Sequence, residues 1–358
     1  MFNVLLNKRA PAFWGIDIGT HSVKAVLLSA RQNRFCLEAF TVRSLPSGVI
    51  QDRQIRDRAA LTRALADIRK HHSGGIKNTA IAVSGSSVIT KIIKVDRCLT
   101  DTELESLIAV DADALIPYPL SEVNIDFERL DPDDADLSTV PVLLTAARAE
   151  IVQSRLGAMT QSGFSTRVVD VESYALSRGA TLCFHQLPAD AKDKVVALVD
   201  IGATMLLLSI VESGKTRYTR DQFLGAEGYS NKSMALYQQA AGTALTGTAT
   251  AVSNELVSDE LGFFQAGLLQ QIRRSIQQYL TTSGKDRIDY LMLSGGSALS
   301  NGLDQYLANA LGVYTVIANP FHTMDVATGV VRVQLARSAP QLLIATGLAM
   351  RGFAPWHI

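Results

Sequence analysis

Residues 14–26 read Trp-Gly-Ile-Asp-Ile-Gly-Thr-His-Ser-Val-Lys-Ala-Val, and residues 197–209 read Ala-Leu-Val-Asp-Ile-Gly-Ala-Thr-Met-Leu-Leu-Leu-Ser. Each is an apolar strand, an Asp-Ile-Gly turn with a threonine close behind, and a second apolar strand. Asp17 and Asp200 stand 183 positions apart, half of a 358-residue chain. A polar hairpin tip repeated once per half predicts two similar domains that face each other across a shared ligand.

The length suffices for two domains, each with its own core. Apolar residues make up 47%, so a disordered chain is not expected. The formal net charge is zero, which argues against nucleic acid as the main partner. Cys36, Cys98 and Cys183 form no metal or redox spacing and read as reduced thiols of a cytosolic protein. No apolar run approaches the roughly 18–20 residues of a membrane span. The opening Met-Phe-Asn-Val-Leu-Leu-Asn-Lys-Arg is too short in apolar residues for a signal peptide. It reads either as a poorly ordered start or as a short amphipathic piece that touches a membrane or a neighbour.

Strands are expected at 13–18, 23–29 and 35–42, then a helix near 55–71 with Ile55, Ala59, Leu61, Leu65 and Ile68 on its apolar face. His71 and His72 close that helix and, being adjacent, cannot share a metal; a solvated helix end is expected. Residues 79–95 read as two strands around a Ser-Gly-Ser turn. Leu99–Leu115 is a helix opened by a Thr100/Glu103 capping box, with Leu104, Leu107, Ile108 and Leu115 as its buried stripe. That helix is acidic elsewhere, and residues 122–138 add seven carboxylates against one arginine, either a solvated surface or a docking face for a basic peptide. A strand at 142–147, a helix at 149–162 and a strand at 166–171 follow. Residues 216–224 continue the second hairpin as strand, and 229–282 is mostly helical, with Leu268, Leu269, Ile272, Ile276 and Leu280 as the clearest stripe. Strand 290–294, the turn Gly295-Gly296-Ser297 and a helix from about Asn301 complete an α/β pattern.

A glycine in a tight turn lets backbone N–H groups approach a phosphate, and a threonine adds a hydroxyl donor. An aspartate beside such a turn makes sense with a divalent cation, usually through water. Lys24 could neutralise phosphate charge. The strand running into Ser294-Gly295-Gly296-Ser297 and then a helix places bare backbone where nucleotides sit in α/β sheets. The Walker pattern and Gly-x-Gly-x-x-Gly after a strand are both absent. There is no nucleophile elbow, and the six histidines lack metal spacing. Asp170-Val-Glu172 is the best remaining acid/base candidate; such a carboxylate could orient a water toward a terminal phosphate or cap a helix.

Two phosphate hairpins and a late Ser-Gly-Gly-Ser turn resemble the actin superfamily of ATP-binding proteins, which includes actin, sugar kinases, chaperone ATPases and FtsA. Finer features carry a closer resemblance: Ser84-Gly-Ser-Ser-Val-Ile-Thr-Lys91, Ile116-Pro-Tyr-Pro-Leu-Ser-Glu-Val123 with Asp126-Phe127, and Val168-Val-Asp-Val-Glu-Ser-Tyr-Ala-Leu176. Val199-Asp-Ile-Gly-Ala-Thr-Met205, Ala318-Asn-Pro-Phe321 and Ala345-Thr-Gly-Leu-Ala-Met-Arg351 match as well. Over nearly its whole length the chain resembles the PilM family, the cytoplasmic actin-like components of bacterial type IV pilus assembly.

The resemblance implies an actin-like ATPase fold, two RNase H-like halves around a nucleotide cleft. The halves would span 12–190, with an FtsA-like subdomain inserted at about 84–145, and 191–352, with a mostly helical subdomain at about 228–285. ATP and Mg²⁺ would lie in the cleft. Asp17, Gly19, Thr20, His21 and Lys24 would form the first phosphate loop. Asp200, Gly202 and Thr204 would form the second. Gly295, Gly296 and Ser297 would approach the adenosine, Asp17 and Asp200 would hold the metal, and Glu172 is the candidate catalytic group. The implied partner is the N-terminal cytoplasmic tail of PilN and, through it, an inner-membrane complex with PilO and PilP. That would place the protein in the cytoplasm at the inner face of the inner membrane. One departure stands out. Relatives carry a Gly-Gly, a Leu-Thr pair, then a helical Glu and Lys for ribose and base. Here the chain reads Gly225-Ala-Glu-Gly-Tyr-Ser230 and an Ala/Thr-rich run, which implies weaker nucleotide affinity. An enzyme of the same fold (an ATPase or small-molecule kinase) and a filament-former remain as alternatives.

Overall fold

The computed structural model describes residues 10–31, 34–72, 75–130, 138–224 and 254–353. The N-terminal nine residues, the 131–137 part of the acidic stretch and the 225–253 run lie outside the described residues.

Two sheets share one strand order. In the first, β1 (Ala10–Ile18), β2 (Ser22–Arg31) and β3 (Arg34–Ser44) form an antiparallel meander. Beyond a small hairpin of β4 (Ile50–Gln51) and β5 (Gln54–Ile55), β6 (Asn78–Val83) joins β1 in parallel. A separate three-stranded sheet of β7 (Val88–Asp96), β8 (Val123–Arg129) and β9 (Thr139–Arg148) follows in sequence, and then β10 (Ser165–Val171) joins β6 in parallel. The second large sheet repeats the scheme. Its meander is β11 (Val195–Ile201), β12 (Met205–Glu212) and β13 (Lys215–Phe223). Its parallel strands are β14 (Tyr290–Ser294) and β15 (Tyr314–Ile317). A short β16 (Asp325–Val326) returns to the edge of the first sheet beside β3.

The central strands are apolar on both faces because helices cover both. Trp14, Ile16 and Ile18 pack under α1 (Arg58–His71) and α3 (Ala149–Gln161). Val195, Ala197, Val199 and Ile201 pack under α5 (Asn254–Ser283) and α6 (Leu303–Leu311). Between them in the chain, α2 (Asp101–Leu115) covers the three-stranded sheet and α4 (Glu172–Ala180) follows β10. After α7 (Arg332–Ser338) comes α8 (Leu343–Met350), and α4 and α8 fill the space between the inner faces of the two large sheets. Side chains alternate along a strand. Asp17 and Asp200 therefore share the inner face of their strands with Phe13 and with Val196 and Leu198.

Some expectations shift. The structure begins α1 at Arg58, where the Asp57 side chain accepts from the Ala60 N–H at 2.9 Å, so Ala60 and Ala64 are buried and Ala59 is exposed. Leu107 is exposed because Leu104 and Ile108 already define the contact line of α2. His72 is not a solvated helix end: its ring meets Trp14 at 5.0 Å and its Nε2 lies 3.0 Å from the Thr41 hydroxyl. The two strands expected at 79–95 belong to different sheets, since the chain leaves the first sheet at Ser84. The Thr100/Glu103 box forms as expected, with the carboxylate accepting from the Thr100 N–H at 2.7 Å.

The tightest packing joins β1, α4 and α8. A Cβ on Gly15 would stand 1.9 Å from the Ala345 carbonyl oxygen, and one on Gly347 would stand 1.8 Å from that of Ala175. Those obstacles are backbone and cannot rotate away. Gly347→Ala is expected to destabilise the protein by about 3 kcal/mol or more in urea unfolding. Gly262→Ala, in α5 with nothing near its Cβ position, should stabilise by about 0.5–1 kcal/mol.

Candidate functional site

The two Asp-Ile-Gly hairpins close in the same way. The Gly19 N–H donates to the Ser22 carbonyl at 3.1 Å and the Gly202 N–H to the Met205 carbonyl at 2.9 Å. The next strand then braces each tip: Leu45 N–H donates to the His21 carbonyl and Leu224 N–H to the Thr204 carbonyl, both at 2.8 Å. The tips meet, with the Thr20 and Thr204 hydroxyl oxygens 3.1 Å apart. Both turns are tight: a Cβ on Gly19 would lie 2.9 Å from the movable Lys24 ammonium and 3.2 Å from the Ser22 carbonyl, and one on Gly202 would lie 3.0 Å from the Met205 carbonyl.

Charged groups gather behind the tips. Lys24 pairs with Asp17 across the β1–β2 register, Nζ to Oδ2 3.0 Å. Burial by itself pulls the Lys24 pKa down, but Asp17, Asp200 and Glu172 outweigh it and hold the ammonium above its ordinary value. Asp200 accepts from the Ser294 hydroxyl at 2.8 Å; burial pushes its pKa up to about 6 against the opposing pull of Lys24. Glu172, the first residue of α4, is pushed up to about 7 by burial, with Arg155 opposing and Asp17 and Asp221 adding to the rise. His21 is held below its ordinary value by burial and by Lys24, so it is neutral at pH 7.

The late turn packs against the second hairpin. Gly295 has φ +92°, and a Cβ there would stand 2.4 Å from the Ile201 carbonyl, so it meets the second hairpin closely. Its N–H donates to Pro340 and the Ser297 N–H to Ile201. The helix expected from about Asn301 is α6, which starts at Leu303 after the left-handed Gly302. Gly296 faces open space, with the nearest side-chain atom, of Gln341, at 3.9 Å.

Sequence reading separated Asp170 and Glu172 poorly. Asp170 is bound to Arg178 at 2.7 Å and faces Arg351 at 3.8 Å, a structural tie between β10, α4 and the C-terminal turn. It missed two arginines. Arg53 sits at the tip of the β4–β5 hairpin, where Asp52 and Arg53 take φ +49° and +66°, at about 1 kcal/mol each for residues with a Cβ. From there it crosses to the second sheet: 3.0 Å to Asp221, 3.7 Å to the Met205 sulfur and 5.8 Å to the Phe223 ring, while holding Ser84 at 2.5 Å. Arg155 on α3 is the other, 4% exposed, with Nη1 3.5 Å from the Ile18 carbonyl. Its signal was present in the spacing, since Val152, Arg155 and Met159 fall on one helix face.

The arrangement fits a phosphate-bearing ligand. The turns are tight and carry glycine, hydroxyls stand on both tips, and the buried Arg155 Nε has no acceptor. Among the described residues no group of three or more His, Cys, Asp or Glu side chains is placed to hold a metal. A cation here would share Asp17 and Asp200 with the ligand's own oxygens.

Known proteins agree with this architecture. The ethanolamine utilization protein EutJ from Carboxydothermus hydrogenoformans is similar at 14% identity and TM-score 0.54, over 95% of this chain and 89% of that one. The PilM-PilN type IV pilus biogenesis complex contains a chain similar at 25% identity and TM-score 0.76, over 97% of this chain and 100% of that one. The family model described as type IV pilus assembly protein PilM matches residues 15–353. With a family match over residues 15–353, the chain belongs to the PilM family of type IV pilus assembly proteins.

Proposed function

We propose that the protein is an ATP-binding scaffold of type IV pilus assembly that binds the N-terminal cytoplasmic tail of PilN. The observation that carries this reading is the likeness to the PilM-PilN complex over 97% of the chain. In this reading the functional halves are 12–190 and 191–352. Through PilN the protein joins an inner-membrane complex with PilO and PilP, on the cytoplasmic side. Membrane attachment comes from the partner; no helix among the described residues is long and apolar enough to cross a membrane.

The nucleotide lies between the hairpins, with Gly19, Thr20, His21 and Lys24 on one side and Gly202 and Thr204 on the other. Gly295, Gly296 and Ser297 approach the adenosine. Bound Mg²⁺ supplies positive charge against the phosphates. That help is needed here. Lys24 already faces Asp17, Asp200 and Glu172, so bare phosphates meet a site whose nearest cation is committed to carboxylates.

A hydrolytic reading has one observation in its favour. Glu172 stands at the N-terminus of α4 with a pKa near 7, as a base that orients water at neutral pH requires.

A synthetic peptide of the cognate PilN tail should bind with a Kd in the micromolar range, about −8 kcal/mol, by calorimetry. No heat at several hundred micromolar, roughly a hundredfold above that, removes the scaffold reading. Asp17→Asn and Asp200→Asn should each weaken Mg-ATP about tenfold while leaving ATP without Mg²⁺ within about twofold, since Asp17→Asn also releases Lys24 toward the phosphates. Equal losses with and without Mg²⁺ contradict the metal role.

The raised carboxyls also couple to stability. Glu172 rises from 4.5 to about 7 and Asp200 from 3.8 to about 6, so the folded chain holds more protons than the unfolded one in between. Stability therefore falls as pH rises from about 4 to about 7. Glu172→Gln should flatten that fall and raise stability at pH 8 by on the order of 2 kcal/mol, read by urea unfolding. If the protein hydrolyses ATP through Glu172, the same variant loses steady phosphate release.

A further inference from the structure

We propose that Arg155 is an anion receptor beside the first hairpin tip, and that it recognises a terminal phosphoryl group. The ligand is the end phosphate of a bound nucleoside triphosphate or free inorganic phosphate, which present the same tetrahedral oxygens. The proposal rests on the nucleotide reading above.

Arg155 is drawn inward by its helix. Val152 and Met159 share its face of α3 and are buried, Met159 fully, and Arg155 itself is 4% exposed. A guanidinium carries five N–H donors in a planar fork. Among the described residues Arg155 makes one hydrogen bond, a long one of 3.5 Å to the Ile18 carbonyl, and its Nε makes none. A buried cation left so short of acceptors is as costly as a broken buried ion pair unless something else occupies its donors.

The other cations near the tips differ. Lys24 is hydrogen-bonded to Asp17, and Arg53 to Ser84 and Asp221. Glu172 and Asp17 stand near enough to act on Arg155 through space, yet neither forms an ion pair with it within 4.0 Å. The Ile18 carbonyl it touches immediately precedes Gly19 and Thr20, so the guanidinium lies against the backbone of the first phosphate turn. A forked, permanently charged donor at that place matches two oxygens of a phosphoryl group, and a lysine there would not.

The test uses the full chain and two variants, Arg155→Met, which removes the donors while keeping an apolar stem, and Arg155→Lys, which keeps charge without the fork. Calorimetry measures Mg-ATP and Mg-ADP, and Mg-ADP with inorganic phosphate added. Arg155→Met should lose ATP affinity tenfold or more while ADP affinity stays within about twofold, and Arg155→Lys should fall between. If added phosphate tightens wild-type ADP binding but not that of Arg155→Met, free phosphate is recognised too. If it does not, the receptor reads phosphate attached to the nucleotide. Should Arg155→Met fail to fold, a selective loss of ATP affinity in Arg155→Lys still supports the proposal. Equal losses for ATP and ADP, or no loss for either, overturn it while the nucleotide reading stands. A wild type that binds neither nucleotide overturns both.

Discussion

The packing of α8 against β1 and α4 is the constraint on which the rest of the molecule depends. Two helices and a strand approach so closely that Gly15, Gly179 and Gly347 each leave no room for a methyl group. This junction binds a helix from the end of the chain to the first strand and to the helix that begins at Glu172. It thereby sets where Glu172 stands relative to Asp17. The residues above it, Leu343, Ile344 and Leu348, share one apolar cluster with Val196, Leu198 and Met292 of the second sheet. The same junction thus couples the two sheets and holds the two hairpin tips within hydrogen-bonding distance.

Given that geometry, the charges behind the tips follow from alternation along the strands. An aspartate at the end of each central strand must point into the space between the sheets, where burial raises the cost of its charge. Lys24 relieves Asp17, and the Ser294 hydroxyl relieves Asp200. Among the described residues Glu172 has no such direct partner, and burial raises it further than Asp200, to about 7. The cluster is poised rather than satisfied, as sites that receive charged ligands are. Arg53 adds a strut across the cleft, held by a turn in a left-handed conformation that only its contacts on both sides justify.

Membership in the PilM family turns these local facts toward one use. A scaffold needs a stable link between its halves and a ligand site that reports on occupancy more than it needs fast chemistry. The committed lysine, the neutral His21 and the arginine tie across the cleft suit holding a nucleotide.

By itself the sequence determined the repeated hairpins, the apolar central strands, the capping box at Thr100 and the stripe of α5, because all of these are local patterns of period or spacing. It also carried the family resemblance, since the matching runs are contiguous. Only the tertiary structure decided what those residues meet. Asp170 and Glu172 are two positions apart, yet one is tied up by Arg178 and Arg351 and the other faces the site. His72 looked like a helix end and is pinned by Trp14 and Thr41. Arg53 reaches Asp221 from 168 positions away, and Arg155 reaches Ile18 from 137. Contacts at such separation leave no periodic trace in the chain; they arise when the sheets and the α4–α8 junction close, and burial then decides which charges remain unsatisfied.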